Sequence, residues 1–194
     1  MLYGVIMETE NIYTLKKSNY NNYDFCLNAK LVIKKFTKID LVIRLLELVV
    51  LIISVILCIK TYKLLYAFIL IIVIAIIHYT TILRYDILFR RYETKDLEVF
   101  HDLYYFYYFN SFVLPYKRQS FRKAFLLNMA FADLELQNFT KFEQCLDVIN
   151  TTEFKNFRKM RGYNKSKEHL IISIKKMYYI PDNIRSTLDL LEKE

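Results

Sequence analysis

The chain has 194 residues, is 55% hydrophobic, and carries a formal charge of +8. With only two Gly, two Pro and no Trp, it lacks the turn residues a sheet protein needs, so a nearly all-helical chain is expected. Bases exceed acids by 6 to 4 over residues 1–40, 4 to 1 over 41–84 and 18 to 15 over 85–194, a spread excess that excludes the clustered patch of a nucleic-acid surface.

Residues 1–22 read as a polar N-terminal segment. They lack the basic, apolar, small-residue order of a cleavable signal peptide, and either Met1 or Met7 could serve as the start. The next stretch, DFCLNAKLVIKKFTKID within 23–40, places Phe25, Leu27, Leu31, Val32 and Phe36 among lysines. Two readings stay open: a basic amphipathic helix lying at an interface, or an extension of the apolar stretch that follows.

From Leu41 to Leu83 the chain is strongly apolar. A single helix over that length would run ~65 Å, about twice a ~30 Å hydrocarbon core. Split at Lys60–Lys63, it gives two pieces, 41–59 and 64–83, each of span length. The pattern therefore predicts a two-span transmembrane hairpin over 41–84, with the lipid bilayer as one partner. Arg44, Glu47, His78 and Arg84 would sit near one membrane interface, and Lys60 and Lys63 would mark the turn at the other. Four lysines before the hairpin and four bases after it, against two in the turn, predict an integral protein with both termini in the cytoplasm. The richness in Lys, Asn, Ile, Tyr and Phe matches AT-rich codons, so a bacterial plasma membrane is the expected location.

Residues 85–194 read as a cytoplasmic all-helical domain, with helices at 86–113, 117–136, 139–149, 152–160, 166–179 and 183–193. The aromatic run HDLYYFYYFNSFVLPY (101–116) is expected to be buried on several sides or to lie against the bilayer. In LLNMAFADLELQNFTKFEQCLDVI (126–149), Leu126, Met129, Ala130 and Ala132 stand as a large residue, then apolar and small residues one turn on. Gln137-Asn138-Phe139 follows as a turn and an aromatic. This stretch resembles one tetratricopeptide helix pair. It departs from that family in lacking the turn glycine and in carrying Phe142 where alanine is usual. The resemblance implies that Ala130 approaches the partner helix closely, that Phe139, Phe142 and Leu146 belong to the helix-pair structure, and that Lys141 and Glu143 begin an outer face.

No catalytic constellation is visible. His78, His101 and His169 match no metal spacing, and two glycines cannot build a phosphate-binding loop. Cys26, Cys58 and Cys145 are too few and too widely spaced for a disulfide framework or zinc site. Glu93, Asp96, Glu98 and Asp102 read as the solvated face of a helix rather than a metal site. No catalytic, cofactor or metal residue is assigned, no cofactor is expected, and His101, His169 and Cys145 are expected to be replaceable. The chain reads as a membrane-anchored, non-catalytic interaction or scaffold protein with a protein partner, in the manner of an accessory or immunity factor of a transport, secretion or toxin system. The alternative is a structural subunit of a larger membrane transporter or channel.

Overall fold

The structure, a computed structural model, describes residues 11–61, 64–110, 115–152 and 163–193. Among these residues every regular element is helical: α1 Lys17–Asn22, α2 Leu27–Thr61, α3 Leu64–Glu93, α4 Leu97–Asn110, α5 Pro115–Glu135, α6 Phe139–Thr151, α7 Tyr163–Lys175 and α8 Asp182–Lys193. The chain forms two compact units. One is Cys26–Asp96; the other joins the described residues up to Phe25 to those from Leu97 onward. The helix expected at 152–160 lies outside the described residues apart from its first position.

The unit Cys26–Asp96 is a hairpin of α2 and α3. The basic stretch and the apolar stretch after it form one continuous helix of 35 residues. Each helix turns one half-buried stripe toward the other. In α2 it passes through Phe36, Asp40, Ile43, Glu47, Leu51 and Ser54; in α3, through Leu70, Val73, Ile77, Thr80, Arg84 and Leu88. These steps of three and four residues are the narrow seam of a coiled-coil-like pair. Outside the stripe the side chains are apolar yet exposed, as at Leu48, Val49, Ile52, Ile71 and Ile76.

The expected transmembrane hairpin is corrected here. Among the described residues no helix is long and apolar enough to cross a membrane. In α2 the charged group Asp40, Arg44 and Glu47 falls at the middle of the helix rather than at an end. The charge-free run left between Glu47 and Lys60 covers only about 18 Å as a helix, well short of a ~30 Å core. The integral membrane location, and the topology built on it, are corrected with the spans.

In the other unit α5 is central: it packs on α4, α6 and α7, and α8 lies against α6 and α7. Along α5 the residues Ala124, Leu126, Leu127, Met129, Ala130, Ala132 and Leu134 are all buried, and the three alanines let neighbouring backbones approach. The aromatic helix α4 is buried on several sides, through Phe100, Leu103, Tyr105, Tyr107 and Tyr108. It was expected to be continuous with residues 86–93. Instead the chain turns at 94–96, where the amides of Lys95 and Asp96 both donate to the Tyr92 carbonyl at 3.2 and 3.0 Å.

The pair α5–α6 holds Leu126, Met129, Ala130, Phe142 and Leu146 in the core, but Phe139 is 50% exposed. Its expected place in the shared core is taken by Phe142, one turn further on, which is fully buried. Between the helices Asn138 N–H donates to the Asp133 carbonyl at 2.8 Å and Gln137 N–H to that of Leu134 at 3.0 Å. These paired bonds form a Schellman closure, with Gln137 at a φ of 59° in the left-handed position that glycine usually fills.

Candidate functional site: a buried tyrosine, histidine and aspartate cluster

Two groups of polar side chains are drawn together, one in each unit. In the hairpin, Arg44 Nε donates to Asp40 at 2.6 Å and Arg84 Nη1 to Glu47 at 2.8 Å. Arg84 Nη2 reaches Asp40 at 3.4 Å, and the Tyr85 hydroxyl donates to Asp40 at 3.2 Å. Arg84 of α3 thus meets two carboxylates of α2 across the seam, while Arg44 pairs with Asp40 within α2 and donates across to the Tyr85 hydroxyl at 3.1 Å. Arg44, Glu47 and Arg84, expected at a membrane interface, are seam residues, and Asp40 and Tyr85 complete their network. Lys60 is exposed in the last turn of α2. Lys63 and the side chain of His78 lie outside the described residues.

The second group lies beneath the N-terminal segment. His101 on α4 is 3% exposed, Asp102 beside it 3%, and Asp133 on α5 1%. His101 Nδ1 is 3.2 Å from Asp102 Oδ1, and its Nε2 is 3.4 Å from Asp133 Oδ2. Two tyrosines from the segment close the cluster. The Tyr13 hydroxyl donates to Asp133 and lies 2.8 Å from His101 Nε2. The Tyr23 hydroxyl donates to Asp102 at 2.6 Å and stacks its ring on Tyr105 at 3.8 Å between centroids. Lys141, expected on an outer face, stands over the Tyr23 ring at 5.5 Å.

Burial alone would disfavour the imidazolium, but hydrogen bonds and charge from Asp102 and Asp133 override it and raise the His101 pKa to about 9. At neutral pH His101 is therefore a buried cation between two carboxylates. Tyr13 and Tyr23 are pushed well above the ordinary tyrosine range, first by burial and then by Asp133 and Asp102 respectively, so both stay neutral donors. Cys145 Sγ donates to the Leu126 carbonyl at 3.2 Å. Burial, then Asp133, raises its thiol well above the usual value, which keeps it in the unreactive protonated form. His169 lies apart from the cluster, its ring against Phe131 at 5.9 Å.

The segment's backbone is held as well. Tyr105 Oη donates toward the Ile12 and Asn19 carbonyls at 3.1 and 3.3 Å, and Tyr108 Oη to the Tyr13 carbonyl at 3.0 Å. Asn11 Nδ2 donates to the Gln144 carbonyl of α6 at 2.7 Å. Of the four acids expected on a solvated face, Glu98 is exposed, Glu93 and Asp96 are half-buried, and Asp102 turns inward. Among the described residues no group of three or more His, Cys, Asp and Glu side chains is placed to hold a metal ion. Chemically, the cluster can hold a proton on His101 and receive phenol hydroxyls. A general base needs hydrogen-bond reach to its substrate, and here Tyr13 and Tyr23 occupy that reach.

Sequence reasoning missed Tyr13, Tyr23 and Asp133. The available signal was weak: Tyr13, Tyr20, Tyr23 and Phe25 spaced through a mainly polar stretch, and Asp133 among the apolar residues of α5. No family model, no curated protein and no solved structure matches the chain.

Proposed function

We propose that the protein is a non-catalytic interaction protein whose α2–α3 hairpin is covered by apolar helices of a protein partner. The observation that carries this reading is the exposure of Leu48, Val49, Ile52, Ile53, Ile71 and Ile72, each close to half exposed or more, on either side of a narrow seam. Contiguous apolar surface of this kind marks an interaction site, because isolated exposed residues are common on a protein surface but extended patches are not. The ionic network fixes the register of α2 against α3, and so presents the two apolar flanks in one arrangement.

The test is photo-crosslinking in cells, with the reactive side chain placed in turn at Val49, Ile72 and, as a control, Lys35. Discrete protein adducts at the first two positions, lost when Val49, Ile52 and Ile56 are all changed to Gln, are expected. Adducts with lipid alone, or none at either apolar position, overturn the proposal.

A further inference from the structure

The second group of contacts points to a binding site independent of the hairpin. We infer that the face of α4, α5 and α6 beneath residues 11–25 is an exchangeable site for a protein segment bearing a tyrosine two residues after an asparagine. The chain's own segment Asn11–Phe25 is its resident occupant.

Three features carry this. First, the site is built for a phenol. Asp133 and His101 are almost fully buried and both meet the Tyr13 hydroxyl. A site whose buried polar groups are satisfied by a substrate hydroxyl rejects the analogue that lacks it, because those groups are then left unpaired. Second, the body reads the segment's backbone. Tyr105 and Tyr108 donate to the carbonyls of Ile12, Tyr13 and Asn19, and the Gln144 carbonyl accepts from Asn11. Such contacts set position and direction while the side-chain pocket sets identity. Third, the occupant is connected to the site only through another compact unit, Cys26–Asp96. Its key contacts therefore join residues 88, 120 and 133 positions apart, and a second polypeptide could supply the same groups. A tethered occupant competes as an intramolecular ligand, so the site is closed to weak ligands until the resident segment is displaced.

The experiment uses the full chain and a labelled peptide with the sequence of residues 11–25, followed by fluorescence anisotropy. The Tyr13→Ala protein should bind this peptide at least about tenfold more tightly than the unaltered protein, since its own segment no longer holds the pocket. The same peptide carrying Tyr13→Phe should bind at least about 100-fold more weakly. Equal binding by the two proteins, or equal binding of the two peptides, overturns the inference. If Tyr13→Ala fails to unfold cooperatively, a protease site inserted between Asp24 and Phe25 replaces it. Exchange of the cut segment for labelled peptide, with the remainder still folded, supports an exchangeable site. A segment that leaves only when the whole protein unfolds is a permanent part of the core and overturns it.

Discussion

Helix α2 half-buries one stripe, and its neighbours Leu45, Leu48, Val49 and Ile52 stay exposed; helix α5 buries seven apolar residues between Ala124 and Leu134 and meets three other helices. Both helices carry many apolar residues, mainly Leu, Ile and Val in α2 and Leu, Ala and Phe in α5. What differs is the number of neighbours, so the same kind of residue stabilises one unit and leaves the other with an uncovered surface. Polar groups follow the same division. The charges of the hairpin pair across its seam at a partly exposed edge, whereas His101, Asp102 and Asp133 are sealed beneath aromatic rings.

The contrast predicts the largest difference for truncation of apolar side chains. Phe142→Ala removes a fully buried ring and should cost about 3–5 kcal/mol, a large share of the ~5–15 kcal/mol typical of a domain. Ile52→Ala, on a flank 49% exposed, should stay within about 0.5 kcal/mol in the uncomplexed protein. Phe139→Ala should behave like Ile52→Ala, since Phe139 is half exposed. Urea unfolding of the full chain measures all three, and equal losses for Phe142 and Ile52 would erase the distinction between the units.

The buried cluster gives the next effect, and its sign can be worked out. The folded-state pKa of His101, about 9, lies above its unfolded value near 6.5. Its contribution is therefore fully present below pH ~6.5 and is lost as pH rises through ~9. The displacement corresponds to about 3 kcal/mol. Above pH ~10 stability should fall further, because unfolded tyrosines ionise there while Tyr13 and Tyr23 remain neutral in the folded state. His101→Gln should lower stability at pH 6 by ~3 kcal/mol or more, since it strips the cation from two buried carboxylates. It should also flatten the slope between pH 6.5 and 9. A variant that loses stability yet keeps that slope would locate the titrating group elsewhere.

The hairpin network ranks lower because water reaches part of it. Asp40→Asn removes the negative charge shared by Arg44, Arg84 and Tyr85 and replaces one accepting oxygen by an NH2 donor. With the Arg44 side chain 37% exposed, the expected loss is about 1–2 kcal/mol after allowance for screening. It should appear as faster amide exchange in α2 and α3 with little change in α5. Faster exchange in α5 as well would mean that the two units unfold together.

How far the sequence led depended on the range over which each feature is determined. Helices α5 and α6 were legible because apolar spacing is local, and Leu126, Met129, Ala130 and Leu146 fell in the core as their periodicity implies. The break at 94–96 was not, since Glu93-Thr94-Lys95-Asp96 holds neither Gly nor Pro. The apolar stretch was misread as two spans because hydrophobicity alone does not show where a charge sits along its helix. Asp40, Arg44 and Glu47 lie at mid-helix only once α2 is known to start at Leu27. The tyrosine cluster was the least legible feature. Tyr13 sits in a polar stretch and meets its partners 88 and 120 residues away, and nothing in the local pattern of residues 1–22 encodes that distance.

The smallest effect lies between α5 and α6, where a stabilising change is expected. Gln137 holds a φ of 59°, a region in which a side chain crowds the following carbonyl at a cost of roughly 1–2 kcal/mol for an ordinary residue. The closure nevertheless persists, because the amides of Gln137 and Asn138 satisfy two carbonyls at the end of α5 that the helix itself leaves unpaired. Glycine adopts the same conformation without the crowding but has more freedom to lose on folding, which takes back part of the gain. Gln137→Gly should therefore raise stability by about 0.5–1 kcal/mol, read as a higher urea midpoint at an unchanged slope. Gln137→Val, whose branched Cβ tolerates this region least, should lower it. If both variants unfold like the unaltered protein, the closure between α5 and α6 carries no strain, and the missing turn glycine has no energetic consequence.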